Sequence, residues 1–126
     1  MRVIADTSFL MIPGLFGVDV AGELDRLLEQ PYELAIISPV LQELRRISEQ
    51  GKPKERTAAK IGLVLAKRGK VIKIKGAADE AILNLALKGR YGVGTTDADL
   101  RKELRRRGVP VIYLRQKSHL AIDGWV

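Results

Sequence analysis

The feature that most constrains this chain is an alternation repeated five times: short apolar runs with polar or turn residues at their ends take turns with longer stretches whose apolar residues recur at helical spacing. Val3 to Ala5, Leu34 to Ile37, Val71 to Ile74, Tyr91 to Thr95 and Val111 to Leu114 have strand length and composition. Between them, Asp19 to Leu28 carries apolar residues on one helical face. A second helix opens at Ser38-Pro39 and breaks at Gly51-Lys52-Pro53, and a third covers residues 54–68. A fourth runs from Gly76 to Gly89, and a strongly basic fifth from Asp97 to Arg107 stops at Gly108. Strands separated by helices pair in parallel, and a parallel sheet must be covered on both faces. The expectation is a single-domain α/β protein, a three-layer α/β/α sandwich around a central parallel sheet of about five strands. Its 126 residues contain no repeat, low-complexity stretch or linker, so one domain is expected over 1–126.

With 46% apolar residues a chain of this length can bury a core without covalent staples. The absence of cysteine excludes disulfides, thiolate metal sites and cysteine nucleophiles. The longest apolar runs fall far short of the roughly 20 residues that span a bilayer. No basic-then-apolar leader pattern opens the chain, so a cytoplasmic protein with no membrane partner is expected.

Charge is unevenly placed. The formal net charge is +7, yet residues 1–44 carry two basic and seven acidic groups, whereas residues 45–75 carry eleven basic and two acidic. Residues 101–117 add seven basic groups against one acid. A basic surface beside a group of acids suits a protein that holds a polyphosphate chain near bound metal. The bland alternative for each run is a solvated helical face.

Ligands of such sheets bind beyond the carboxyl ends of the strands, where strand order reverses. Four elements bring acids to those ends. Asp6 follows the first strand and Asp97 the fourth; Glu43 lies in the second turn of the helix after strand two, and Asp79, beside Glu80, in the first turn of the helix after strand three. Singly, Asp6 reads equally as a turn former and Asp97 as a helix cap, and Asp79 gains from the helix dipole. Glu43 has no capping role at its position. Together, carboxylates at one edge repel one another unless a cation intervenes, and all-oxygen donors suit Mg²⁺ or Mn²⁺. One or two such ions would activate water against a phosphodiester. Acids at the centre, cations at the flanks and no cysteine nucleophile describe a metal-dependent nuclease.

These residues resemble the PIN domain nucleases over nearly the whole chain. Val3-Ile4-Ala5-Asp6-Thr7-Ser8-Phe9-Leu10 looks like the first acidic motif of that family, and Ser38-Pro39-Val40-Leu41-Gln42-Glu43-Leu44 like its second. Ala78-Asp79-Glu80-Ala81-Ile82-Leu83 looks like the third, and Thr95-Thr96-Asp97-Ala98-Asp99-Leu100 like the fourth. The resemblance implies that Asp6, Glu43, Asp79 and Asp97 form a metal-centred quartet, with Glu80 the alternative to Asp79. It makes Asp99 a fifth acid acting on metal through water, and Ser8 and Thr95 hydrogen-bonding support. It also implies an endoribonuclease. The segment from Gly108 to Arg115, continued by Gln116-Lys117-Ser118-His119, looks more like the PIN proteins that mature ribosomal RNA than like the VapC-type toxins. RNA is the implied partner; the family also admits a homodimer and a ribosome-assembly or antitoxin partner.

Arg45, Lys52, Lys54, Arg56, Arg101, Arg115 and Lys117 are the expected phosphate contacts. With 5% aromatic residues, base stacking cannot be the main grip. Phe9 and Phe16 read as core, while Tyr91, Tyr113 and Trp125 have no assigned place. His119 reads as a surface residue of a polar tail. Gly89, Gly92 and Gly94 match neither a phosphate loop nor a dinucleotide fingerprint and read as turns. The competing reading is a non-catalytic RNA-binding or assembly module in which the acids only cap helices. A phosphatase of the haloacid type is excluded because the second Asp of its motif is missing from Asp6-Thr7-Ser8.

Overall fold

A computed structural model describes residues 1–124; Trp125 lies outside them. The chain runs β1 (Arg2–Ala5), α1 (Thr7–Leu10), α2 (Ile12–Phe16), α3 (Val20–Leu28), β2 (Glu33–Ile37), α4 (Ser38–Gln50), α5 (Pro53–Ala66), β3 (Lys70–Ile72), α6 (Ala78–Ala86), β4 (Tyr91–Gly94), α7 (Ala98–Arg106), β5 (Val111–Arg115) and β6 (His119–Asp123). Six strands form one sheet in the order β3-β2-β1-β4-β5-β6. The first five are parallel, as the alternation requires, and β6 is antiparallel to β5. Chain order steps outward one way through β1, β2 and β3, then restarts at β4 and steps the other way. Right-handed crossovers therefore put the helices before β3 on one face and α6 and α7 on the other. The reversal lies between β1 and β4, which are direct neighbours with Ala5 opposite Gly94.

The sixth strand corrects the reading of the segment after β5 as a polar tail. Gln116 and Lys117 both take left-handed backbone angles, with φ of 54° and 57°. A hairpin usually marks such positions with Gly or Asn, and neither is present. The new edge is covered: the Leu120 amide donates to Glu23 Oε1 at 2.9 Å, and Arg26 Nη2 donates to the Leu120 carbonyl at 3.1 Å. His119 opens this strand with Ser118 Oγ 2.9 Å from its Nδ1.

Strands β1 and β2 are buried almost throughout, and Phe9, Ile12, Leu24, Leu44, Ile82 and Leu104 close over them from the helices. Phe16, read as core, is 39% exposed. Gly92 and Gly94 belong to β4 rather than to turns. At Gly94 a Cβ would stand 2.7 Å from the Phe9 ring, so the glycine lets that ring lie flat beside the sheet next to Asp6. At Gly62 a Cβ would meet the Leu10 carbonyl at 2.8 Å, so α5 packs directly on the turn that follows the first acid.

Candidate active site

The site grows from the switch point. Strand β1 ends at Ala5, and the next residue turns out of the sheet with its amide still bonded to the Gly94 carbonyl, 3.1 Å away. That residue is Asp6. Its extended backbone makes it the N-cap of α1, and Oδ1 accepts from the Phe9 amide at 2.8 Å. The same oxygen accepts from Ser8 Oγ at 2.7 Å. Oδ2 accepts from Thr95 Oγ1, the residue after β4. Both hydroxyls then take a backbone amide of the facing loop: Ser8 Oγ accepts from Thr96 at 3.0 Å, and Thr95 Oγ1 from Asp97 at 3.0 Å. Each hydroxyl thus spends its proton on Asp6 and a lone pair on the β4 loop, tying the two loops together through one carboxylate.

Asp6 is only 7% exposed. Burial pushes its carboxyl from the ordinary 3.8 up to about 6, and the charge of Asp79 pushes the same way, while the bonds from Thr95, Ser8 and Phe9 pull it down. Of the adjacent pair Asp79 and Glu80, it is Asp79 whose charge acts on Asp6. The connection that leads to it is anchored by a residue read from sequence as a helix cap. Ser38 instead stitches two loops together: its Oγ donates to the Ile74 carbonyl at 2.9 Å and accepts from the Ile74 amide at 3.0 Å. The cap residue of α4 is Ile37. This bond anchors the connection from β3 to α6 at the carboxyl end of β2, and α6 begins four residues after Ile74 with Asp79 in its first turn.

Asp97 is the N-cap of α7, and its Oδ1 accepts from the amides of Asp99 at 2.9 Å and Leu100 at 3.2 Å. The capping reading therefore describes this oxygen. Asp97 and Asp99 are exposed, and Glu43 is half-buried on α4. The acids share one end of the sheet, yet among the described residues no three acidic or histidine side chains stand close enough to hold one ion. The charge of Asp79 is thus felt at the buried Asp6, while Asp79, Asp97 and Asp99 themselves face water and Glu43 does so in part. Hydration costs them nothing there, and convergence without a counter-ion would cost repulsion. In kind the donors fit a hard divalent cation: they are all carboxylate oxygens, and one is an anion disfavoured both by burial and by its acidic neighbour. Asp6 is the donor built for such an ion, and further carboxylates would have to draw in to complete its shell.

The cations divide into two groups. Helices α4 and α5 are joined by two residues and pack as an antiparallel pair. Because α4 leaves the carboxyl end of β2 and α5 descends to the start of β3, the tip between them projects beyond the acids. Arg45, Lys52, Lys54 and Arg56 are all exposed on that arm. Arg115 and Lys117 are exposed at the β5–β6 turn. Arg101 is occupied differently. It bonds Asp123 Oδ2 at 3.0 Å and lies 3.5 Å above the Tyr113 ring, which fastens α7 to β5 and β6 and leaves it unlike a free phosphate contact.

Residues 3–117 match the family model described as "PIN like domain", and the chain belongs to that family. It is 33% identical to ribonuclease VapC4 of Methanocaldococcus jannaschii, covering 99% of this chain and 98% of that protein. It is 27% identical to ribonuclease VapC9 of Archaeoglobus fulgidus, over 95% of this chain and 87% of the relative. Among solved structures the PIN domain endonuclease Utp24 superposes with a TM-score of 0.80 at 23% identity, covering 99% of this chain and 92% of that one. The likeness to Utp24 is one of fold.

Proposed function

We propose that this protein is a metal-dependent endoribonuclease whose chemistry is centred on Asp6. The observation that carries the reading is the buried carboxylate at the switch point, held by three donors and opposed by Asp79. A residue needed only as a helix cap gains nothing from burial, which disfavours its charge by raising its pKa. A bound divalent ion would supply an activated water and polarise the phosphodiester. The chain's part is to fix Asp6 in one orientation through Ser8 and Thr95, to present Asp79 from α6 and Asp97 from α7, and to hold phosphates along the α4–α5 arm. The name ribonuclease carried by the relatives at 33% and 27% identity supports the same reaction class.

Of the two branches named by the sequence, the VapC-type is supported by the relative that matches from end to end. Ribosomal RNA maturation rests on the likeness of the segment after β5, which is a hairpin. The deciding assay is purified protein with end-labelled RNA, in Mn²⁺ and in excess chelator. Cleavage in Mn²⁺ alone, leaving 5′-phosphate and 3′-hydroxyl ends, is expected of attack by water. Undiminished cleavage in chelator, or a 2′,3′-cyclic phosphate, overturns the metal mechanism. Loss of cell growth on expression without a co-expressed partner would favour the VapC-type branch, and accumulation of unprocessed ribosomal RNA in its absence the other.

A further inference from the structure

The other end of the sheet carries a second charged feature, made of the loops that enter the strands. Residues from the starts of β1 and β4 and from the α6–β4 and α7–β5 connections enclose an open cleft of about 940 Å³. Arg2, Lys88, Arg90 and Arg107 line it, and no acidic residue does. Two of these cations lean on acids outside the cleft, Arg2 on Glu33 at 3.8 Å and Arg107 on Glu103 at 3.1 Å. Lys88 and Arg90 are exposed and make no ion pair among the described residues. The cleft also contains one aromatic, Tyr91, whose hydroxyl accepts from Arg2 Nη1 at 3.3 Å. Helices α6 and α7 end here, and a cation near a helix carboxyl end is stabilised by the dipole. That accounts for one charge per helix end, not for four around a concave surface with no acid in its wall.

We infer that this cleft is a second binding site for RNA, taking the phosphodiester backbone on Lys88 and Arg90 with room for a base against Tyr91. The inference rests on the ribonuclease reading, and it adds that the substrate is held at both ends of the sheet. Arg2 and Asp6 are four strand positions apart, so the cleft lies about 13 Å from the acids through the protein and farther over its surface. A stacked tetranucleotide reaches only about 10 Å and can occupy one site at a time. A structured RNA of some tens of nucleotides can occupy both.

The test is binding of a labelled tetranucleotide and of a 40-nucleotide hairpin RNA across a salt series. It uses wild type, Lys88→Gln with Arg90→Gln, and, as a control of equal charge loss elsewhere, Lys67→Gln with Arg68→Gln. Melting temperatures confirm that each is folded. For the hairpin, the slope of log affinity against log salt should fall by about 1.4 to 1.8 in the cleft variant, two contacts at roughly 0.7 each on single strand or 0.9 each on duplex, with no such fall in the control. The tetranucleotide, free to occupy the cleft alone, should also lose slope in the cleft variant and not in the control. Equal slopes for all three proteins on the hairpin, or a loss as large in the control as in the cleft variant, would overturn the second site while leaving cleavage at the acids intact. A wild type that binds neither RNA would overturn the ribonuclease reading as well.

Discussion

The two ends of this sheet are built from opposite materials. At the carboxyl ends of the strands, helices α1, α6 and α7 begin with acids in their caps or first turns, and α4 begins with Glu43 in its second; at the amino ends α6 and α7 finish, and the residues there include Lys88, Arg90 and Arg107. Helix dipoles alone would favour that division. Dipole matching does not call for burial, however, and the cations of the far cleft stay exposed while Asp6 is sunk among Thr95, Ser8 and Phe9. A charge placed where its own solvation opposes it distinguishes a site built for chemistry from a surface built for attraction.

The largest effect should therefore follow from disturbing Asp6. Asp6→Asn keeps the N-cap and most of the shape but removes the charge. Cleavage should fall by more than the roughly 10- to 100-fold that loss of a group supporting a metal ligand costs. Thr95→Val, which deletes the hydroxyl that joins Asp6 to the Asp97 amide, should fall within that range. Single-turnover rates with saturating Mn²⁺ measure both. If Asp6→Asn retains rates within a few fold of wild type, the acidic end has no privilege over the basic one.

A second contrast is thermodynamic. The folded-state pKa of Asp6, about 6, lies above its ordinary 3.8. The folded protein therefore binds the proton more tightly than the unfolded chain. The stability this gives is complete below about pH 4 and is lost as the pH rises through 6. The shift amounts to about 3 kcal/mol between pH 4 and 7. Denaturant midpoints in chelator should fall over that window in wild type and stay flatter in Asp6→Asn. Neutralising Lys88 should leave the wild-type profile unaltered. A wild-type curve as flat as that of Asp6→Asn would show that the burial of this carboxylate is compensated by something other than a proton.

Much of this was written in local patterns. The alternation of apolar runs with amphipathic stretches marks out five parallel strands, and polar residues following the first and fourth runs place Asp6 and Asp97 at the carboxyl end of the sheet. What escaped the sequence depends on contacts between distant residues. Ser38 has the look of a cap, because Ser before Pro usually is one, but its hydroxyl closes a pair of bonds with Ile74, 36 positions away. Gly94 looks like punctuation until the Phe9 ring is laid beside it. The β5–β6 hairpin lacks the glycine that would announce it, and Gln116 and Lys117 take on the unfavourable angles in its place. The basic cleft draws on connections spread from Arg2 to Pro110, so no window of sequence contains it.

The repulsion between Asp6 and Asp79 has a structural counterpart at Gly94. Gly94→Ala would force its Cβ against the Phe9 ring and move the residue three positions from Asp6. A cost of about 1–3 kcal/mol is expected for overpacking, read from denaturant midpoints. The same substitution at Gly89, where a Cβ would meet only the Tyr91 ring edge at 3.3 Å on the basic side, should cost less. Equal costs at the two glycines would mean that the acidic end is packed no more tightly than the other.

The smallest effect on stability is the one that best separates a metal site from a set of caps. Asp97 is exposed, and its Oδ1 already serves two amides of α7. Asparagine offers the same oxygen and is as good an N-cap, so Asp97→Asn in chelator should shift stability by no more than about 0.5 kcal/mol. Metal should break this near-equality. An ion bound by the folded state and not by the unfolded one stabilises by mass action, about 2.7 kcal/mol when its concentration is 100 times its dissociation constant. Losing one carboxylate weakens the ion's hold, so Mn²⁺ should raise the melting temperature of wild type more than that of Asp97→Asn. The cleft variant, with Asp97 intact, should respond to Mn²⁺ as wild type does. Should Asp97→Asn gain as much from Mn²⁺ as wild type, Asp97 is a helix cap and nothing more, and any ion must be held by Asp6 and Asp79 without it.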